Sequence, residues 1–293
     1  MEPQAYCRDK AAPTGSSTYY AALFAPSAIR DGLIALAALR REILEIPHEV
    51  SEPAIGEAKL GWWQEELQRL ANDMPRHPIT QALAPYIEAH ALPVATLEDT
   101  VEAARMDLTY SAYPTLRELT VYCHRAGGGV ADLARRMTGA ETPAAAAFAH
   151  DLSMGLELTR MIRHLRRDLR AGRLYIPEDE LHLSGLSLKT VADTDADTDQ
   201  AASRIDLLRR QARRARQFLD SAIGHLPAAE RPAQAYGLTL AVLYRELLNT
   251  LDAADFPVLE RQHHLTPLRK LWLAWRIRRA PQRLSPRPPE STS

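Results

Sequence analysis

Apolar residues recur along this chain with the period of an α-helix almost from end to end. Between Ser27 and Ile46, the residues Ile29, Leu33, Ile34, Ala37 and Leu44 mark one stripe, at the three-and-four spacing that puts side chains on a common helical face. Ser27 is placed to cap that helix and Pro47 to stop it. A second helix begins near Pro53 and carries Leu60, Trp63 and Leu67. A third runs from about His77 to Ala91, and a fourth from Leu97 to Asp107 behind Thr96 as its cap. Longer periodic stretches follow at Thr115 to Met137, Pro143 to Ala171, Gln200 to Ile223, Ala229 to Ala253 and Thr266 to Arg278. No run of alternating β-branched residues interrupts them, so the pattern predicts an all-α chain.

Two segments fall outside the periodicity. The run from Asp193 to Asp199 sets aspartates at alternate positions, as a calcium loop does, but has Thr198 and Arg204 where such a loop needs glycine and glutamate. A solvated acidic linker near 192–200 is the expectation. Residues 281–293 are rich in proline and serine and read as a disordered tail.

Composition narrows the classes. Of 293 residues, 46% are apolar and 25% charged, with a net charge of −1, so a folded core is expected and no overall field favours nucleic acid. Only two cysteines, Cys7 and Cys123, are present, which suits a reducing compartment. No secretory signal and no apolar run of spanning length is visible, so the chain reads as cytoplasmic. The helix Leu268 to Arg279 mixes Trp272, Trp275 and Ile277 with five basic residues. It either docks on the bundle by its aromatics or contacts an anionic membrane surface, which would make the protein peripheral at the inner membrane. Trp62 and Trp63 are adjacent and point to different sides of their helix, so one packs and the other sits at a rim, unless both are buried between layers.

Charge is most uneven between Arg160 and Arg173. His164 and Asp168 stand one turn apart among Arg160, Arg163, Arg166, Arg167, Arg170 and Arg173. A helix that holds Mg²⁺ against a diphosphate needs carboxylates at that spacing, because Mg²⁺ takes hard oxygen ligands. This cluster repels Mg²⁺ and attracts phosphate. A histidine–aspartate pair could serve a softer metal, but two ligands are too few, and salt bridging of Asp168 to Arg163, Arg167 or Arg173 is the other reading.

Six motifs in order give the chain a resemblance. Ser17 to Pro26 with Arg30 and Ala35 to Arg41, then Arg105-Met-Asp107, Glu118 to Val130 with its Tyr122-Cys123 pair and glycine step, and Gly172 to Pro177 are four of them. Tyr244-Arg245 with Phe256, and Leu268 to Leu271, complete the set. Together they resemble the squalene/phytoene synthase family. The resemblance implies an isoprenoid-synthase-type helical bundle around a central cavity, with residues 1–16 as an N-terminal extension and 17–280 as the domain. It implies Mg²⁺ held by two aspartate motifs and head-to-head condensation of prenyl diphosphates. Ser17, Ala126, Gly127 and Gly128 would line the cavity, or the small residues would form a packing seam. Arg40, Tyr122, Arg160, Arg163, Arg167 and Arg173 are the implied binders of an anionic ligand.

The chain departs from the family where the metal ligands belong. Ile43 and Pro47 match the two aspartates of the first motif, with Glu42 and Glu45 beside them as shifted ligands or as rim carboxylates. In the second motif Arg160 replaces asparagine, His164 replaces the first aspartate and only Asp168 remains. No metal site and no cofactor are therefore expected, and residual catalysis would fall to Asp168, His164, Glu42 and Glu45. Ser51 to Gly56, Trp62-Trp63 and Asp255 to Pro257 are similar to the family's non-catalytic branch, the respiratory complex I assembly factor. The leading expectation is thus a non-enzymatic scaffold that works with a respiratory complex subunit or assembly protein and binds a prenyl or lipid anion. The alternatives are an active prenyltransferase that uses Mg²⁺ and a soluble binder of lipid anions.

Overall fold

The computed structural model describes residues 2–193 and 197–286. Thirteen α-helices are present among them, with no strand beyond one isolated parallel bridge between Ala112 and Leu174. In chain order they are α1 (Pro3–Ala11), α2 (Ser17–Leu23), α3 (Ser27–Glu49), α4 (Pro53–Ala71), α5 (Pro78–Ala89), α6 (Glu98–Thr109) and α7 (Leu116–Met137). There follow α8 (Pro143–Arg170), α9 (Glu178–Leu183), α10 (Leu188–Ala192), α11 (Thr198–His225), α12 (Ala235–Asp252) and α13 (Pro267–Arg279). The all-α expectation holds.

The centre of the bundle is α8, packed between α7 and α11. Fourteen of its residues are buried; one side of the helix faces neighbours and the other borders a cavity. Close approach to α11 depends on Gly155, where an added Cβ would lie 2.6 Å from Leu219. Gly129 on α7 lets the short 3₁₀ turn Val94–Leu97 press its Thr96 carbonyl onto the helix, where no other residue fits. Gly128 is different: its free side meets His124 of its own helix.

Local details correct several expectations. Pro47 does not stop α3, which runs on to Glu49; the N-cap is Pro26, and Ser27 is already helical. A proline lacks the N–H that would bond back one turn, and its own carbonyl, in the last turn of α3, accepts a bond of 3.0 Å from Arg173 Nη2. Thr96 belongs to the 3₁₀ turn rather than capping α6. Within the N-terminal extension, α1 packs on α3 and α5, with Cys7 wholly buried. The calcium-like run includes 194–196, which lie outside the described residues. Of the proline-rich tail, 281–286 are described: Pro281–Arg283 forms a 3₁₀ turn, and the carbonyl of Gln282 takes a bond of 3.1 Å from Arg231.

Trp63 is buried and Trp62 exposed, so the pair divides between core and rim. The last helix docks through Lys270, Leu273, Ala274 and Ile277, not through its tryptophans. Trp272 and Trp275 stand exposed beside Leu268 and Leu271. Arg269 and Arg276 stack on Trp272, and Arg279 on Trp275. No helix among the described residues is long and apolar enough to cross a membrane.

Candidate functional site

A cavity of about 580 Å³ opens between α2, α3, α7, α8, α12 and α13. Its α3 wall is the stripe Ala37, Arg40, Arg41, Leu44, Glu45 and His48, and its α8 wall is Ser153, Leu156, Glu157, Arg160, Arg163, His164 and Arg167. Both sets follow helical spacing, so each wall is one face of one helix. Apolar and aromatic groups, among them Leu240, Tyr236 and Tyr244 of α12, line the opposite side. Six cationic side chains border the space against two carboxylates, Glu45 and Glu157.

These faces decide the fate of the residues singled out by sequence. Arg40, Glu45, Ser17, Tyr122, Gly127, Arg160, Arg163, His164 and Arg167 all line the cavity. Ile43 and Pro47 do not; they are buried in the core. The α3 residues that face the cavity one turn apart are Arg40, Leu44 and His48, one position along from the pair matched to the family aspartates. Glu42 is held by Lys10 at 2.7 Å and by the Tyr6 hydroxyl at 3.1 Å, away from the cavity. Glu45 is held by Lys10 at 2.8 Å and Arg41 at 2.6 Å. Ala126 and Gly128 are not among the lining residues; Ala126 instead offers its carbonyl to Arg40 Nε at 2.9 Å.

Asp168 has turned inward. It is 1% exposed and borders a small internal void with Leu165, Tyr175 and Gln211 rather than the main cavity. Its Oδ1 accepts from Arg167 Nε and Nη2 at 2.9 and 2.8 Å, while Arg160 lies 4.0 Å from Oδ2. The bridge is therefore to Arg167 and Arg160, not to Arg163 or Arg173. Arg173 does not line the cavity, and its donors clamp the fold: Nε to Asp107 O at 3.0 Å, Nη1 to His48 Nδ1 at 3.1 Å and Nη2 to Pro47 O. Gly172, at φ 71°, makes the turn that brings Arg173 round.

Glu157 was not singled out by sequence, yet it organises the cavity floor. At 3% exposure it takes Arg160 Nε at 2.9 Å and an ion pair from Arg40, joining α3 to α8. Its place three residues before Arg160, on the same helical face, was the available signal. Behind it, Asp107 is buried and accepts from the Tyr122 hydroxyl at 2.9 Å and the Tyr175 hydroxyl at 2.7 Å. Burial pushes its carboxyl up to about 6, even though these donors favour the charged form. Arg160 also stacks on the Tyr175 ring.

The field in the cavity is visible in its bases. Burial, then the charges of Arg167, Arg163 and Arg160, push the His164 imidazole down to about 3. Burial with Arg167, Arg173 and Arg160 brings His48 to about 4. His264 and Lys270 are lowered too, by burial and then Arg163. Each of these groups gives up its proton more readily because it is buried and, to a lesser extent, because guanidinium charge is nearby.

Mg²⁺ does not fit this cavity. Both lining carboxylates are already paired with cations, and no group of three or more His, Cys, Asp or Glu able to hold a metal exists among the described residues. Asp168 Oδ2 is a buried oxygen without a hydrogen-bond partner, but it faces the core void beside apolar side chains.

A long helical bundle with a central cavity between its third and eighth helices is an isoprenoid-synthase-type fold. Over residues 11–270 the chain matches the squalene/phytoene synthase family, and it belongs to that family. It is 28% identical over 256 residues to a phytoene synthase of Mycobacterium tuberculosis, covering 87% of this chain and 84% of the relative. Identity to a 15-cis-phytoene synthase of Synechococcus elongatus is 25% over 277 residues, covering 90% and 89%. Among solved structures, a dehydrosqualene synthase in complex with ligand superposes with a TM-score of 0.79 at 20% identity, covering 94% of this chain and 95% of the other. A squalene synthase of Alicyclobacillus acidocaldarius gives 0.68 at 21%, covering 87% and 94%. These relatives are named as synthases, which corrects the expectation of a non-enzymatic scaffold for a respiratory complex. The degenerate aspartate motifs that prompted it do not outweigh similarity along nearly the whole chain.

Proposed function

We propose that this protein is a prenyl-diphosphate transferase of the squalene/phytoene synthase type, joining two prenyl diphosphates head to head in isoprenoid biosynthesis. The observation that carries the reading is one cavity with two chemistries. A prenyl diphosphate has an apolar tail and a charged head, and the cavity sets Leu44, Leu156, Leu240 and Gly127 against Arg160, Arg163 and Arg167. Family membership supports the same reaction class.

The chain's own residues supply recognisable parts of that chemistry. When an allylic diphosphate ionises, negative charge grows on the leaving group, and fixed donors placed there lower the barrier. Guanidinium groups on the α8 wall can hold that charge bidentately. The allylic cation left behind is stabilised by aromatic faces, and Tyr122, Tyr236 and Tyr244 line the cavity. The test is incubation of the purified chain with labelled farnesyl or geranylgeranyl diphosphate, with and without divalent cations. A condensed hydrocarbon with released diphosphate is expected, and its absence under every condition overturns the reading.

The exposed side of α13 extends the proposal. Such a reaction ends in a hydrocarbon that partitions into lipid, and Trp272 and Trp275 ringed by arginines form the surface an interfacial helix presents to an anionic bilayer. Its buried side carries Lys270, which donates to Gly15 O at 2.7 Å and lines the cavity. The helix therefore borders both the cavity and the proposed lipid surface. Co-sedimentation with phosphatidylglycerol vesicles, lost in Trp272→Ala with Trp275→Ala, is the expected result; equal binding by both proteins sinks this part.

A further inference from the structure

The last two turns of α8 carry cations on two fronts. Next to the main cavity lies a second one of about 270 Å³, lined by Arg163, His164, Arg166, Arg167, Arg170, Val258 and Gln262. Arg163, His164 and Arg167 line both, so these three side chains are a shared wall. No carboxylate lines the second space. Folding has concentrated like charge here, which costs stability unless an anion completes the site.

Part of the wall's hydrogen-bonding capacity is unpartnered. Arg163 gives one terminal nitrogen to His264 Nδ1 at 2.5 Å, while its buried Nε has no partner. The Nδ1 of His164 is likewise buried and unpartnered. Arg166 gives Nη1 to Glu260 O at 2.7 Å. Arg167 uses Nε and Nη2 on Asp168, so a carboxylate in the core fixes one edge of its fork. A planar fork held in this way is pre-organised for the paired oxygens of a phosphate.

We propose that this wall binds the diphosphate of a prenyl diphosphate directly, through Arg163 and Arg167 with no divalent cation between. The inference rests on the transferase reading for the ligand's identity, but it makes a claim of opposite sign to the family's metal chemistry. Where carboxylates face the ligand, Mg²⁺ bridges two anions and tightens binding. Where guanidinium groups face it, Mg²⁺ neutralises the diphosphate and competes with the protein for its oxygens. Added Mg²⁺ then weakens binding. The site's chemistry is thus a positively charged wall for a diphosphate, with the prenyl tail in the apolar part of the main cavity.

The experiment is calorimetric titration of the full chain with farnesyl thiolodiphosphate, which resists ionisation, and separately with inorganic diphosphate. Each is run in EDTA and then in rising Mg²⁺. Saturable binding of the prenyl ligand in EDTA is expected, weakening severalfold in millimolar Mg²⁺. Weaker binding of inorganic diphosphate shows that the tail contributes; equal binding of the two overturns the placement of the tail. Arg163→Gln with Arg167→Gln should lower the EDTA affinity more than tenfold, and Arg163→Lys should lose part of it, since charge stays but the fork goes. Thermal unfolding of each variant separates lost binding from lost folding, and the lysine variant keeps the test usable if the double variant unfolds. Binding that requires Mg²⁺, or that the double variant leaves intact, overturns the proposal. Binding in EDTA without condensed product leaves it standing and fails the transferase reading, whereas Mg²⁺-dependent binding and turnover do the reverse.

Discussion

The two long walls of the cavity dispose of their charge differently. On the cavity face of α3 the charges are matched, Arg40 by Glu157 and Glu45 by Lys10 and Arg41, and that face is completed by Leu44 and a neutral His48. At the end of α8 cations outnumber their partners, with one carboxylate, Asp168, turned into the core behind Arg167. Paired charges on α3 hold the bundle together, whereas excess charge on α8 is what a ligand can use. One wall carries paired charge that joins helices, and the other carries the arginines to which the proposed anion binding is assigned.

Breaking the joint between the walls should give the largest effect. Glu157→Leu strands two guanidinium groups that the fold has pulled from water, and removing one partner of a buried pair costs about 3–5 kcal/mol. Denaturant unfolding measures it; a loss below about 1 kcal/mol means that Arg40 and Arg160 relax into solvent and the joint is weak. Tyr122→Phe, which deletes one donor to buried Asp107, should cost roughly 1–3 kcal/mol, since the remaining bond from Tyr175 leaves the carboxylate under-satisfied.

Acidification sharpens the contrast by another route. His48 and His164 have folded-state values near 4 and 3, below the usual 6.5. The unfolded chain therefore takes up their protons first, and stability falls as pH drops below about 6.5. Asp107 acts in the opposite sense, because its folded-state value near 6 lies above the unfolded 3.8. Between pH 6 and 4 these three groups leave a net difference of about one proton, or about 1.4 kcal/mol lost per pH unit. Melting temperature against pH records this, and His164→Gln should flatten the curve, while a curve unchanged by that substitution removes His164 from the account. Smallest of all, Glu45→Gln on the balanced wall should cost about 1 kcal/mol or less, since Glu45 and both its cations are partly solvated. Its affinity for farnesyl thiolodiphosphate should stay within about twofold, and a larger loss would mean that α3 is not a bystander.

Much of this was legible in the sequence. The α7 and α8 expectations agree with the structure to within one residue because periodicity and terminal residues are local properties. The short α9 and α10, by contrast, have no counterpart in the sequence reading, and α12 starts at Ala235, six residues later than the expected Ala229. The arginine-rich run from Arg160 to Arg173 also stood out by composition alone. Orientation was not legible. One residue rotates a helical side chain by about 100°, so reading Ile43 and Pro47 as the cavity positions, where Leu44 and His48 line it, was a one-residue difference with a complete change of environment. Asp168 was read correctly as an ion-pair residue, but its place in the core followed from Arg167 folding over it. The spacing of Glu157 to Arg160 is legible in the sequence, but its pairing with Arg40 of α3 is a product of the tertiary structure.

By itself the sequence determined a helical chain, its family likeness and an arginine-rich helix end, because helix propensity, motif order and side-chain charge belong to the residues themselves. Only the tertiary structure decided which of those charges are spent on one another and which still face a cavity. Pairing depends on distances between helices that are far apart along the chain. Burial is the first cause of the fall of His164 to about 3, ahead of the charges of Arg167, Arg163 and Arg160 on its own helix, and burial comes only with the packed bundle.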